Sequence, residues 1–382
     1  MAAGDGRLRD RTGLGDEMTQ IVSHTRSFAC VFIAFLLFGM PLTAGDSYTV
    51  ANLVARHPGS SAVGRRMNAS FEIVGSSGRP HGADTRAVFW NASGRISELG
   101  TLPGGDYSVA SGINRFGEVV GDSNTSTLLR AFLWTKQSGM QDLGTLPGDV
   151  GSRAFDINDN HQVVGYSSGA GGIRAYIWSK ETGMRSLGHC PGGLNSEAYS
   201  INSQGQVVGK CDTATGSHAF LWTEGTGMKD LGSLDGENIS QASRIDDSGR
   251  VIGTSRGALG VRAFVWTPKD SMRDLGALGD GNYVEAMGLN DAGQIVGSSQ
   301  TTIGARAFVW TAETGMQDLN TLIPTGTGVV LTAAVDITQD GRILAVGALD
   351  PNLKSMNHHT EMDDEHHAGA TCLFVLKLTR TK

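Results

Sequence analysis

Residues 358–367 carry the densest group of metal-ligand residue types in the chain. His358-His359 and His366-His367 flank Glu361 and Asp363-Asp-Glu365. Imidazole and carboxylate groups bind zinc, copper or nickel once a backbone fixes their geometry. No cysteine stands among them, and no strand or helix pattern runs through the segment. His358, His359, His366 and His367 are thus the metal candidates, against the plainer reading of a solvated acidic loop. A second pattern pairs a base with an acid 12 residues on. Arg86, Arg130, His218, Arg262 and Arg306 precede Glu98, Asp142, Asp230, Asp274 and Asp318, while Arg174 precedes Ser186. Adjacent antiparallel strands would bring such partners together. A group present in every unit serves the fold, whereas a single active site needs something that occurs once. The pairs therefore read as structural tethers rather than as a ligand-binding ring. Cys190 and Cys211 could form one disulfide in an oxidising compartment, the alternative being separate buried thiols with Cys372. No Gly-Lys-Ser phosphate loop, His-Glu-x-x-His or nucleophile elbow occurs, so no catalytic residue is assigned and no cofactor is implied.

The elements that would position these residues repeat. Trp90, Trp134, Trp178, Trp222, Trp266 and Trp310 are all the tryptophans, each 44 residues after the last. Each closes a phrase of the form Arg-Ala-Phe-Val-Trp, such as Arg262–Trp266. A second landmark, Ile157-Asn158 with Val163-Val-Gly165, recurs at the same period in five copies, with two outlying copies at Met67-Asn68 and Ile337-Thr338 that make seven. A third, Met140-Gln-Asp-Leu143, recurs in six. The runs between turn signals are about five residues long, and none has helical periodicity. Each unit therefore offers four short strands, the content of a propeller blade. The tryptophans read as core between blades in preference to sugar-stacking platforms.

Tyr48–Leu53 fits the slot of a fourth strand, and Cys372–Leu376 fits the tryptophan strand of a last unit. The two ends complement each other. An open array would leave two unpaired sheet edges. The reading is an all-β, closed β-propeller of four-stranded blades, seven in number, fastened by the N-terminal strand in the C-terminal blade.

The phrase His218-Ala-Phe-Leu-Trp222, followed by Gly227-Met-Lys-Asp-Leu-Gly232 and by the Ile-Asn…Val-Val-Gly pattern, resembles the His-Ala-Phe (HAF) family of bacterial extracellular repeats. The likeness runs from Tyr48 to about Leu376, with arginine in most copies where the family name has histidine. The resemblance implies a secreted bacterial protein and carries over no catalytic residue.

Residues 1–44 read as a leader. An apolar run from Phe28 to Leu42 follows Arg26 and ends in Thr43-Ala44-Gly45, the pattern of a signal peptide cut after Ala44. The run is short for a membrane span, so the exported chain is expected to keep none. Residues 45–382 form one propeller domain with the His/acid-rich insertion at 351–369. Net charge is −7 and no basic patch with interleaved aromatics appears, so nucleic acid is not expected as a partner. The first expectation for function is a secreted, monomeric, non-enzymatic binding or cell-surface interaction module for a protein or glycan. The alternatives are a propeller hydrolase or lyase acting on polysaccharide, and a structural matrix protein.

Overall fold

The computed structural model describes residues 47–53, 61–78, 84–236, 238–349 and 371–379. The leader and the insertion with His358, His359, His366 and His367 lie outside those residues. The described chain is an all-β propeller whose strands group into units of four. Blade 1 comprises Ser61–Met67, Ile73–Gly78, Arg86–Trp90 and Ile96–Gly100. Five further blades follow the same antiparallel order, beginning with inner strands Ser108–Ile113, Asp149–Ile157, Ser196–Ile201, Ile239–Ile245 and Val284–Leu289. Blades 4 and 5 are joined by one extra bridge, Ser217 to Ile239. The last blade takes Val329–Ile337, Ile343–Leu349 and Thr371–Thr379 from the C-terminal region and Ser47–Leu53 as its outer strand. That outer strand pairs with Leu373–Thr379 through all seven of its residues.

The sequence phrases become these strands for local reasons. Branched and aromatic residues fill the second and third strands, where both faces are covered by neighbouring blades. Blades 1 and 2 share one core: Val74, Ala87, Phe89 and Leu99 meet Ala110, Ile113, Val119 and Phe132. The last blade meets the first through Leu344, Val346 and Leu373 against Met67, Ile73, Val88 and Trp90. Trp90, Trp222, Trp266 and Trp310 are buried. Burying one such ring contributes about 2–3 kcal/mol. The buried serines that open inner strands stitch blades together. Ser108, Ser152, Ser196 and Ser240 each accept the N–H of an alanine in the preceding blade and donate to a carbonyl there.

The inner strands touch one another in chain order, and Val329–Ile337 also touches Ser61–Met67. Each inner strand carries a bulge, opposite the glycine of the Val-Val-Gly phrase in blades 1 to 6. A Cβ on Gly165 would overlap the carbonyl oxygen of Arg153, and one on Gly209 that of Glu197. The glycine is thus required by the close approach of the bulged strand.

Candidate functional site: the axial channel

A bulge leaves one residue unpaired and breaks the two-residue alternation of the strand. The seven residues so displaced are Arg65, Ser111, Phe155, Tyr199, Ser243, Met287 and Val335. All are partly accessible, and in five blades both flanking residues are buried. They stand on the innermost strand of each blade, the strands that touch one another around the propeller axis. The column is variable, with six residue types in seven positions; an alanine precedes it in every blade except the first, where Gly64 stands.

Below this ring the channel is crossed by ion pairs. Arg66 of blade 1 reaches past blade 2 to Asp156 of blade 3 at 3.0 Å and to Asp336 of the last blade at 3.5 Å. Gly112 leaves the room, since a Cβ there would lie 3.0 Å from the Cα of Asp156. Asp156 also accepts from the Ser200 hydroxyl (2.8 Å), and Asp336 from the Met67 N–H (2.8 Å). Arg244 completes the layer. Burial and the nearby Arg66 push its pKa down to about 9, against the pull of Asp336 and Asp156. Burial likewise raises the Asp336 carboxyl above its ordinary value. This layer of two arginines and two aspartates is charge-balanced.

Above the ring, toward the start of the inner strands, lies a second layer of polar residues. Glu197 accepts from Tyr199 (2.9 Å) and pairs with Lys210 (3.0 Å). Glu285 accepts from Tyr283 (2.6 Å). Asp122, 4% exposed, stands 4.0 Å from the Nε of Arg153 and feels Arg65. Among the described residues its Oδ2 and the Nε of Arg65 have no hydrogen-bond partner. Burial raises the Asp122 carboxyl and lowers the Arg65 guanidinium. Tyr107 is raised by burial and by Asp122. The Phe155 ring meets Tyr199 edge-on at 5.3 Å and Tyr166 at 5.8 Å.

The two ends of the propeller differ. Of the seven large hydrophobics that are exposed among the described residues, six (Leu128, Val150, Leu194, Ile239, Leu259 and Ile303) lie in or beside the loops entering the inner strands and the hairpins joining second to third strands. These loops share one end of the molecule, as the approach of Gly104 to Ser126 and of Gly192 to Ala214 shows. Phe116, in the turn after an inner strand, is at the other end.

The residues singled out from sequence are placed as follows. Cys190 and Cys211 are joined in a disulfide, Cα atoms 5.8 Å apart. Arg130, His218, Arg262 and Arg306 meet Asp142, Asp230, Asp274 and Asp318 at 4.0, 2.9, 3.2 and 4.0 Å. Arg86 pairs with Asp84 and donates to the Asp106 carbonyl. Arg174, lacking an acid at position 186, takes Asp149 at 2.8 Å. The basic member of each pair stands on a third strand. Among the described residues no group of three or more His, Cys, Asp or Glu could hold a metal, and no helix is long and apolar enough to cross a membrane. Sequence reasoning passed over the channel residues. The available signal was the variable column two places before the Ile of Ile-Asn.

Fold and site define a β-propeller with polar, non-repeating residues at its axis. No family model and no curated protein matches the chain. Among solved structures it is similar to a virginiamycin B lyase from Staphylococcus aureus, at 11% identity and TM-score 0.52, over 87% of this chain and 99% of that one. A streptogramin B lyase follows at 12% and 0.51, over 88% and 98%. A prolyl endopeptidase matches at 13% and 0.51 over 81% of this chain and 48% of its own, so the likeness spans about half of that enzyme. At such identities the likeness shows the fold alone.

Proposed function

We propose that the protein is an exported, non-enzymatic binding module that takes an extracellular ligand at the axis, from the end where the inner strands begin. The observation that carries this reading is spatial. The buried positions of the inner strands repeat as Ser and Ala, while Arg65, Phe155, Tyr199 and Met287 depart from the repeat and converge on the axis. Binding rather than turnover is supported by four of the five axial acids, Asp122 being the exception with an Oδ2 that has no hydrogen-bond partner among the described residues. Glu197, Glu285, Asp156 and Asp336 are each held by a base, hydroxyl or main-chain N–H. The exposed apolar side chains at that same end support it as the docking face. The disulfide supports an oxidising compartment. So does the resemblance to the HAF repeats, and with the leader it carries the proposal of export.

The full chain and a Met287→Trp variant, which fills the channel, are applied to a glycan array. The expectation is that retained glycans are lost from the variant while its melting temperature is kept. Retention unaffected by the block, or none by either protein, would overturn the proposal. Release of shortened or unsaturated fragments from a retained polysaccharide would instead establish the hydrolase or lyase reading.

A further inference from the structure

The two ends of the propeller also differ in the charges their connections carry. At the end where the inner strands begin, the described entry loops and second-to-third hairpins hold no lysine and no arginine. Their charged residues are Asp84, Asp106, Asp235 and Asp280. The bases of the connections stand at the opposite end, among them Arg115, Lys136, Lys180 and Lys269. The strand arginines nearest the aspartate-bearing loops are engaged. Arg86, Arg174 and Arg262 are held by Asp84, Asp149 and Asp235 at 3.5, 2.8 and 2.9 Å, and Arg256 is not free either. This end thus offers acids to a cationic partner and no loop base to an anionic one.

The same loops carry the exposed aliphatic side chains. Leu194, Leu259 and Ile303 are 75, 66 and 75% exposed. Their loops follow one another in contact across blades 4 to 6. A Cβ on Gly193 would overlap the Asp212 carbonyl, one on Gly216 that of Asn238, one on Gly260 that of Asn282 and one on Gly281 that of Gln300. The arc is therefore held on packed loops, and covering it removes apolar surface from water. The exposed large hydrophobics here are Leu, Val and Ile, so the arc lacks the aromatic face on which a sugar ring stacks. An anionic bilayer attracts basic loops, and none is present among the described residues. A second copy set face to face would bring Asp235 and Asp280 against their equals. What complements aliphatic side chains beside aspartates is a polypeptide whose apolar residues are flanked by lysine or arginine.

We infer that the loops of blades 4 to 6 dock a cationic amphipathic segment of a partner protein, its apolar residues on Leu194, Leu259 and Ile303 and its bases toward Asp235 and Asp280. The inference goes beyond the reading above by adding a protein partner to the loops that flank the axis. The full chain is titrated with a model amphipathic peptide of leucine and lysine, with a leucine–glutamate peptide of the same pattern, and with vesicles of phosphatidylcholine and of phosphatidylglycerol. The lysine peptide should bind about tenfold tighter than the glutamate peptide, and added salt should narrow the gap. Leu194→Ser/Leu259→Ser/Ile303→Ser should weaken the lysine peptide about tenfold at an unchanged melting temperature, since all three side chains are exposed. Asp280→Lys should weaken it and spare the glutamate peptide. Equal affinity for the two peptides, or binding that survives the triple substitution, would overturn the inference. So would tighter binding to either vesicle, or self-association of the parent that the triple substitution abolishes. Met287→Trp should leave the peptide bound, and the triple variant should keep any glycan held at the axis, so either reading can fall without the other.

Discussion

An asparagine closes most of the joints between neighbouring blades. Asn68, Asn114, Asn158 and Asn202 each donate Nδ2–H to the main-chain carbonyl of the equivalent residue in the next blade, at 3.0, 3.3, 3.0 and 3.0 Å. Asn290 does the same toward Thr338 at 3.1 Å. Asp246 holds this place in blade 5, and an ionised carboxylate has no hydrogen to give. Its Oδ2 is buried without a hydrogen-bond partner, and burial raises its pKa. Arg250 at 3.5 Å offsets part of the cost, while Asp291 adds to it. Asp246→Asn should supply the missing donor and raise stability by about 1 kcal/mol at neutral pH. The sign of the pH dependence follows from the raised value. A carboxyl whose folded pKa exceeds its unfolded one costs stability once pH passes the unfolded pKa, and the full cost is present above the folded pKa. The advantage of the variant should therefore be largest near pH 7 and shrink toward about pH 4. Thermal melts at both pH values check this. A variant that melts lower than the parent at pH 7, or whose gain grows on acidification, would remove the explanation.

The strand-level counterpart is a joint in which chemistry was exchanged and geometry kept. Leu102, Leu146, Leu234 and Leu278 each donate their N–H to a serine hydroxyl 21 residues on: Ser123, Ser167, Ser255 and Ser299. Cys190 and Cys211 stand in those two columns with the same separation of 21. The disulfide thus replaces a hydrogen bond that ties the entry loop to the second strand. Removing it as Cys190→Ala/Cys211→Ala should cost about 3 kcal/mol. The pair Cys190→Leu/Cys211→Ser restores the side chains of the other blades and should lose less. Denaturant unfolding separates the two, and equal losses would show that the columns are not interchangeable. The strands and the complementary ends were legible in the sequence, because each is a phrase repeated at fixed spacing, whereas the Cys190–Cys211 joint stood there only as one of two alternatives. The channel was not. An unbroken strand alternates its side chains, which would set Phe155 and Tyr199 on a blade face with their neighbours. The bulge turns them to the axis. Gly165 and Gly209 were visible as part of Val-Val-Gly, but only the carbonyl packed against them reveals the bulge they permit.

On the scale of the whole molecule, the chain ends share one blade. Ser47–Leu53 covers the edge of Thr371–Thr379, which would otherwise present a row of unpaired main-chain groups. Tyr48 is fully buried, and its N–H donates to the Leu322 carbonyl at 2.6 Å. Its ring shares a core with Leu319, Leu331, Phe374 and Leu376 from the other end of the chain. A strand holding the two ends contributes to every blade contact, because opening it exposes both faces of the array at once. An open array whose units contact only neighbours would respond differently, losing the terminal unit and melting in steps. Deleting residues 47–53 should therefore lower the melting temperature of the whole transition and promote self-association through the bared edge. Tyr48→Ala, which keeps the main-chain pairing, should cost about 3–5 kcal/mol, the range for truncating a buried aromatic. A synthetic peptide of residues 47–53 should restore part of the loss when added to the deleted chain. Calorimetry and light scattering report both effects. A deleted chain that stays monomeric and melts with the parent would show that the N-terminal strand does not fasten the ring.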